Sequence, residues 1–326
     1  MPIFTAEQLD LSRLPPFNLV TVDEAAELAT LKASIVARFE AAGVPFSVAM
    51  LRTDPAMILA EEFAFRKAQT LAALNDAGRR LSLPYTDGPY LDHIAATYFA
   101  DLGLRRLPLV TNPRGTSLEY PADWESDARF ALRISLAPEA RSGSLGAYEF
   151  DALTAAPHLY EALALNHASG LVRPGQILVV LLGRDPDPNP LTAVPAQEEP
   201  AQIALATAAL RDPKSKLGSD EVLVRPADRI RVTRSYGLGM RRGPDQGLVL
   251  AEARRQYAAY TDLRPATVSE RRIGKLLDVA GEYRALKVSG VEVIRPRDGS
   301  GADVDPGITG VIQVAALDLI PEVIGG

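Results

Sequence analysis

The chain has 326 residues, 47% apolar and 23% charged, with no cysteine and a formal net charge of −6. That length can bury most of its apolar surface and suits two or three domains, whereas the acidic balance argues against a nucleic-acid footprint and the missing cysteines exclude disulfide or thiol chemistry. No apolar run approaches the roughly 18 residues of a membrane helix, and the opening MPIFTAEQLDL lacks a basic-then-apolar signal, so the sequence reads as a soluble protein folded inside the cell.

Residues 1–20 read as an extended arm: Leu9, Leu11 and Leu14 lead to Pro15-Pro16, then Phe17, Leu19 and Val20. Such a segment either packs along a neighbour or stays mobile, and its residues do not choose. A helix is expected from about Asp23 to Ala42, with Ala25, Leu28, Leu31, Ile35 and Phe39 at helical intervals, Gly43 ending it and Pro45 blocking continuation. Asp54 can cap a second helix with Pro55 at its first position, where no N–H is needed. Run to Gly78, that helix is on the order of 35 Å long at 1.5 Å per residue. Its apolar residues form two stripes, Ile58, Phe65, Ala68 and Ala72 on one face and Leu59, Phe63 and Leu74 on another. A helix apolar on two sides wants partners on both; from spacing alone, burial within its own domain is the plain reading. After a turn at Pro84 and Asp87-Gly88, a third helix places Leu91, Ile94, Ala95 and Tyr98 on one face and ends at Gly103.

From Pro108 the texture changes. LPLVTNPRGTSLEYPAD reads as a loop or small β excursion. Asp123 is placed to cap a helix bearing Trp124, Ala128 and Leu132, and Ser142-Gly143-Ser144 to start another through Leu145, Tyr148, Ala152 and Ala156. Strands are expected at 158–168 and 176–183, the second apolar enough to be buried on both faces. A Pro-rich surface loop, a helix over 202–211 and a strand over 227–234 complete this region. Beyond it, Pro244 can open a helix carrying Val249, Ala253, Tyr257 and Tyr260, and Thr267 with Glu270 makes a capping box for Ile273, Leu276, Leu277 and Ala280. VSGVEVI and GITGVIQVAAL read as two antiparallel strands joined by the turn RPRDGSGADVDP. The fold class is therefore α+β and multidomain: an N-terminal helical arm and bundle domain (1–107), a middle α/β domain (108–234), and a small C-terminal α+β domain with helices on a small sheet (235–326).

Candidate chemistry is sparse. His93 has no second ligand at i+4; His158 and His167, nine apart in one expected strand, fall on opposite faces; no set has zinc spacing. Asp298–Asp305 superficially resembles a calcium loop but lacks the alternating ligands and closing Glu, so it reads as a solvated turn. Gly237–Gly243 lacks both the phosphate-loop ending and the dinucleotide spacing, so it reads as a flexible connection, although Arg241 and Arg242 could hold an anion. No serine sits in a nucleophile elbow, and the paired carboxylates Glu198-Glu199 and Asp185/Asp187 lie in the Pro-rich loop. Catalytic, cofactor-binding and metal residues are therefore expected to be none.

Several stretches, in order along nearly the whole chain, resemble the baseplate J family of contractile phage tails. They are Leu9-Asp10-Leu11-Ser12-Arg13-Leu14-Pro15-Pro16; the Asp54-Pro55 helix with Glu61-Glu62 and Arg66; Leu91-Asp92 with Gly103 and Arg106; Glu125-Ser126-Asp127 with Leu132-Arg133; Ser144, Ala147-Tyr148-Glu149-Phe150 and Pro174-Gly175; and Arg225-Pro226-Ala227-Asp228-Arg229. Ser235–Gly243 departs from the pattern, being short, glycine-rich and basic where the family has a further apolar strand.

The resemblance implies a structural protein of the baseplate wedge, assembled in the host cytoplasm and located in the virion tail baseplate. Its implied partners are a second copy of itself (paired through the C-terminal region within each wedge of a six-fold ring), a tail protein I-like partner bundling with the N-terminal helices, a lysozyme-fold wedge protein, and the hub and central spike proteins. The ring is expected to rearrange on sheath contraction. With the two-sided helix, it favours a partner bundle over burial within one domain, and makes Ile58, Leu59, Phe63, Phe65, Ala72, Leu14 and Phe17 the candidate interface. The alternatives are an α/β enzyme, or a small-molecule or peptide-binding protein, with an anion site near Arg241 and Arg242.

Overall fold

The computed structural model describes residues 18–44, 54–140, 143–183, 199–212, 220–240, 245–264, 271–287, 291–297 and 301–323. Leu14, Phe17, Arg241, Arg242, Gly243, Pro244, Thr267, Glu270, the Pro-rich loop and Asp298–Ser300 lie outside them. The chain is mixed α and β, with eight helices and two three-stranded sheets among the described residues. It divides into two compact units, with the break between Ile94 and Ala95.

The first unit is helical. α1 (Glu24–Ala41) starts where the Asp23 carboxylate accepts the Ala26 N–H, and α2 (Pro55–Arg79) where Asp54 accepts that of Ala56. The two pack antiparallel: Glu27 pairs with Lys67 at 2.6 Å and Lys32 with Glu61 at 3.5 Å, so positions rise on one helix as they fall on the other. Asn75 accepts the Val20 N–H at 3.0 Å and donates to its carbonyl at 2.9 Å, fixing the segment that enters α1. α3 (Gly88–Tyr98) follows, with Leu91 buried, and Gly103 ends a short 3-10 turn in the left-handed region.

In the second unit, the helix expected from Asp123 starts later. Ser126 is the cap, accepting the Arg129 N–H, and α4 runs Asp127–Leu136. Trp124 stays extended before it because it bridges Pro108. α5 (Leu145–Ala155) begins at Ser144, as expected, and α6 spans Glu199–Arg211. Both helices pack on a sheet of β1 (Glu161–Leu165), β2 (Gln176–Leu182) and β3 (Glu221–Pro226), with β1 antiparallel and β3 parallel to β2. β2 is buried on both faces, Val179 and Leu181 on one and Leu178, Val180 and Leu182 on the other. β3 was not foreseen: it is six residues long and ends at a proline. His158 and His167 do not share a strand; one precedes β1 and the other lies in a 3-10 turn.

β4 (Asp228–Met240) follows β3 after the single residue Ala227 and becomes the centre of the second sheet, in the order β5-β4-β6. The glycine-rich Gly237–Met240 is therefore strand and not a flexible connection. Tyr236, Leu238 and Met240 bury one face, and the intervening glycines read as loop only when that alternation is overlooked. β5 (Val291–Arg297) and β6 (Gly310–Val323) run in opposite directions, but β4 lies between them, antiparallel to β5 and parallel to β6. α7 (Gln246–Tyr260) is capped by Asp245. No helix covers 273–278: Leu277 bridges Val304, and α8 (Val279–Leu286) starts at the Asp278 cap. The i, i+3, i+4 apolar spacing there serves two cores, Ile273 entering that of β1–β2 and Leu277 that of β4 and the helices.

Candidate interaction surface

The seven buried or half-buried positions of α2 that form its inner edge are Met57, Ala60, Ala64, Ala68, Leu71, Asn75 and Gly78. Their steps of three and four residues make a seam of the coiled-coil kind, and small side chains let α1 come close. A Cβ on Gly78 would sit 2.5 Å from a Leu19 methyl. α1 contributes only half-buried positions to the pair, among them Leu28, Leu31, Ile35 and Phe39, and has no fully buried residue.

Five other large apolar residues of α2 stand about half in water. Ile58 is 51% exposed, Leu59 57%, Phe63 60% and Phe65 46%, and Ala72 and Leu74 are exposed as well. Ile58, Phe65 and Ala72, seven apart, form one stripe; Leu59, Phe63 and Leu74 form the other. The ion pair of Glu62 with Arg66, at 2.6 Å, runs between them. Ala68, placed on the first stripe by spacing, belongs to the seam. Sequence reasoning overlooked that seam because alanine contributes little to an apolar count. Chemically, these stripes can bury apolar area against other helices.

The second unit holds its charges inside. Glu125 is buried and pairs with Arg129 and, at 2.7 Å, with Arg133. Its Oε2 also accepts the Leu107 N–H at 3.1 Å, and Arg106 donates to its carbonyl at 3.1 Å. Arg129 continues to the carbonyls of Leu153 at 2.5 Å, Ala156 at 2.9 Å and Leu159 at 2.6 Å, tying α4 to the end of α5; burial lowers its pKa from the usual arginine value. Arg271 reaches Glu149 at 2.9 Å and Glu161 at 3.5 Å, and Glu161 accepts the backbone N–H of Arg272 at 2.7 Å. Burial raises the Glu161 pKa from the usual carboxylate value. Glu282 accepts from Tyr257 at 2.5 Å and Arg234 at 3.1 Å, and burial pushes its pKa up too. The neighbouring Tyr260 hydroxyl is pushed up to about 12, chiefly by burial.

These side chains are consumed by one another and by backbone groups, which suits a scaffold. Among the described residues no three His, Cys, Asp or Glu side chains cluster as a metal site, and no helix is long and apolar enough to cross a membrane. A cleft lined by Tyr260, Arg272, Lys275 and Val311 encloses only about 30 Å³, far below the roughly 300 Å³ at which ligand pockets begin.

Residues 53–108, covering α2 and α3, match the Baseplate J-like N-terminal domain. The chain is similar to the baseplate J-like proteins. It is 25% identical over 289 residues to Baseplate protein J of Escherichia phage P2, an alignment spanning 87% of this chain and 88% of the phage protein. The motifs that carry the resemblance fall at junctions of the fold. Glu125 and Arg133 belong to the α4 network, Glu149 meets Arg271, and Arg225 and Asp228 pair at 3.1 Å where β3 becomes β4.

Proposed function

We propose that this protein is a structural component of a phage-tail baseplate, and more finely a wedge subunit of a contractile tail or tailocin-like particle. Its copies pair within each wedge, link into a six-fold ring around the hub, and shift on sheath contraction. The observation that carries this reading is the arrangement of α2, which buries alanines and leaves two stripes of large apolar side chains in water, within the segment that matches the baseplate J-like domain. Ile58, Leu59, Phe63, Phe65 and Ala72 then form the seat of partner helices, joined by Leu14 and Phe17 of the arm. A tail protein I-like protein is the partner we assign to them. A lysozyme-fold wedge protein and the hub contact the rest of the wedge. In this reading residues 1–107 bundle, 108–234 form the body, and 235–326 bring copies together. The site is the virion tail baseplate, with assembly in the host cytoplasm and no enzymatic step.

The test is mass spectrometry of sedimented tail particles, with the protein quantified against the tube subunit. A fixed, low ratio compatible with six wedges supports the reading. A protein found only as free monomer refutes it.

A further inference from the structure

Residues 108–124 leave the body and return at one point: Pro108 bridges Trp124, and the Leu109 N–H donates to the Asp123 carbonyl at 2.8 Å. The interior of this loop is tied. The buried Asp123 carboxylate accepts Arg114 through its backbone N–H at 3.1 Å, Nε at 2.8 Å and Nη at 3.0 Å. The Trp124 indole donates to the Arg114 carbonyl at 3.1 Å, and the Arg114 guanidinium lies 4.6 Å from the centre of the Tyr120 ring. Glu119 accepts the Thr116 N–H at 3.2 Å. Gly115 has φ +38°, and a Cβ there would stand 2.4 Å from a Glu119 carboxylate oxygen and 3.1 Å from the Tyr120 ring.

Yet this rigid loop holds Leu118 66% exposed, Val110 41% and Tyr120 40%. Slack loops carry polar tips; a cross-braced loop that keeps apolar side chains in water is shaped for contact. Arg114 is paired with Asp123, and Glu119, which accepts from Thr116, leaves the loop one net negative charge, so it does not attract a polyanion or an anionic membrane. Two such loops meeting face to face would bury a few hundred Å² per copy at most, short of the roughly 800 Å² per partner of a stable interface. The missing area must come from a partner that wraps the loop.

We propose that residues 110–120 are a preformed knob that seats Leu118 and Tyr120 in a concave, apolar surface of a different protein in the same assembly. The proposal rests on the assembly reading above. A rigid anchor of this kind loses little entropy on docking, which suits a small contact inside a larger particle.

The chain contains no cysteine, so Leu118→Cys introduces a single thiol at an exposed position. Maleimide labelling is compared between the free full-length chain and sedimented particles carrying the variant, followed by a short thiol-to-amine crosslinker and peptide mapping. Labelling at least tenfold slower in particles, with one crosslinked site on a different polypeptide, is the expected result. Equal labelling in particles that contain the protein overturns the knob and leaves the assembly reading intact. A disulfide-linked homodimer through residue 118, or protection by neutral phosphatidylcholine vesicles alone, overturns the proposed occupant. Absence of the wild-type protein from particles removes both readings together.

Discussion

Three consecutive residues of α2 separate fold from assembly. Phe63 is 60% exposed, Ala64 fully buried and Phe65 46% exposed. Full burial of a phenylalanine is worth about 1.5–3 kcal/mol, so the two-fifths of Phe63 that is covered contributes roughly 0.6–1.2 kcal/mol. Placing aspartate in a helix interior adds on the order of 0.5 kcal/mol. Phe63→Asp should therefore weaken the isolated chain by about 1–2 kcal/mol, and Phe65→Asp by slightly more. Ala64→Asp sets a carboxylate in the seam against α1, where Lys32 and Lys67 are already paired with Glu61 and Glu27, at a cost of about 3 kcal/mol. Urea unfolding followed by circular dichroism, with hydrogen exchange of the α2 amides, measures the first quantity; recovery of each variant in sedimented particles measures the second. We expect the phenylalanine variants to keep α2 protected in the free chain while particle incorporation drops at least tenfold. Loss of α2 protection in Phe63→Asp equal to that in Ala64→Asp would refute the division between seam and stripe. Normal incorporation of Phe63→Asp and Phe65→Asp would refute the interface.

Four other outcomes are expected. Glu125→Gln keeps the volume but strips the counter-charge from the buried Arg129 and Arg133; a loss of about 3–5 kcal/mol in urea unfolding is expected. Arg271→Met leaves Glu149 and Glu161 facing each other in the interior. Burial already raises Glu161, so the variant's deficit should be largest near neutral pH and shrink as the pH falls and the pair takes up a proton. The Arg114 guanidinium holds Asp123 down at about 2, so that pair stabilises the fold above the unfolded-state pKa near 4 and loses its effect as pH falls toward 2. Asp123→Asn should flatten this acid limb in a stability-versus-pH series. In the free chain, α1 amides should exchange well before those of β2 and β4, since α1 buries no residue fully; equal protection would contradict that.

Helix positions were legible because their signals are local. Asp23, Asp54 and Ser144 cap as their side chains dictate, and Gly103 takes the left-handed turn. Errors arose where one residue type serves two ends. Asp123 looks like a cap, but its carboxylate is taken by Arg114, nine residues earlier, and capping passes to Ser126. Gly237 and Gly239 look like loop, but they alternate with Tyr236, Leu238 and Met240 in a strand paired on both sides. The Ile273–Ala280 spacing imitates a helix because two cores happen to claim residues four apart. Pairing order escaped altogether, since β4 meets β6 some eighty residues downstream and no local pattern encodes that register. For the candidate interaction surface, both stripes were readable from periodicity; which face the fold would bury was not, because the deciding residues are mostly alanine and glycine.

The two units differ in how complete they are. In the second, an extended run from Glu221 to Met240 serves one sheet and then the next, interrupted only by Ala227, whose N–H donates to Leu181 at 2.9 Å. Arg271 ties the segment after α7 back to α5 and β1, more than a hundred residues away. Such buried ion pairs are poor sources of net stability, since desolvation offsets most of the attraction, but a misplaced partner leaves an uncompensated charge, so they penalise every alternative packing. That body is fixed in one arrangement by its own residues. The helical pair has no such reserve. Its seam sets three alanines and a glycine beside Met57, Leu71 and Asn75, five of its large apolar side chains are about half in water, and a helix in a protein draws most of its stability from the apolar face it buries. In α2 about half of each stripe residue, Ile58, Leu59, Phe63, Phe65 and Leu74, is still in water in the single chain. On the assembly reading proposed above, a helix that keeps its small residues inside and half-exposes its large ones is completed by association.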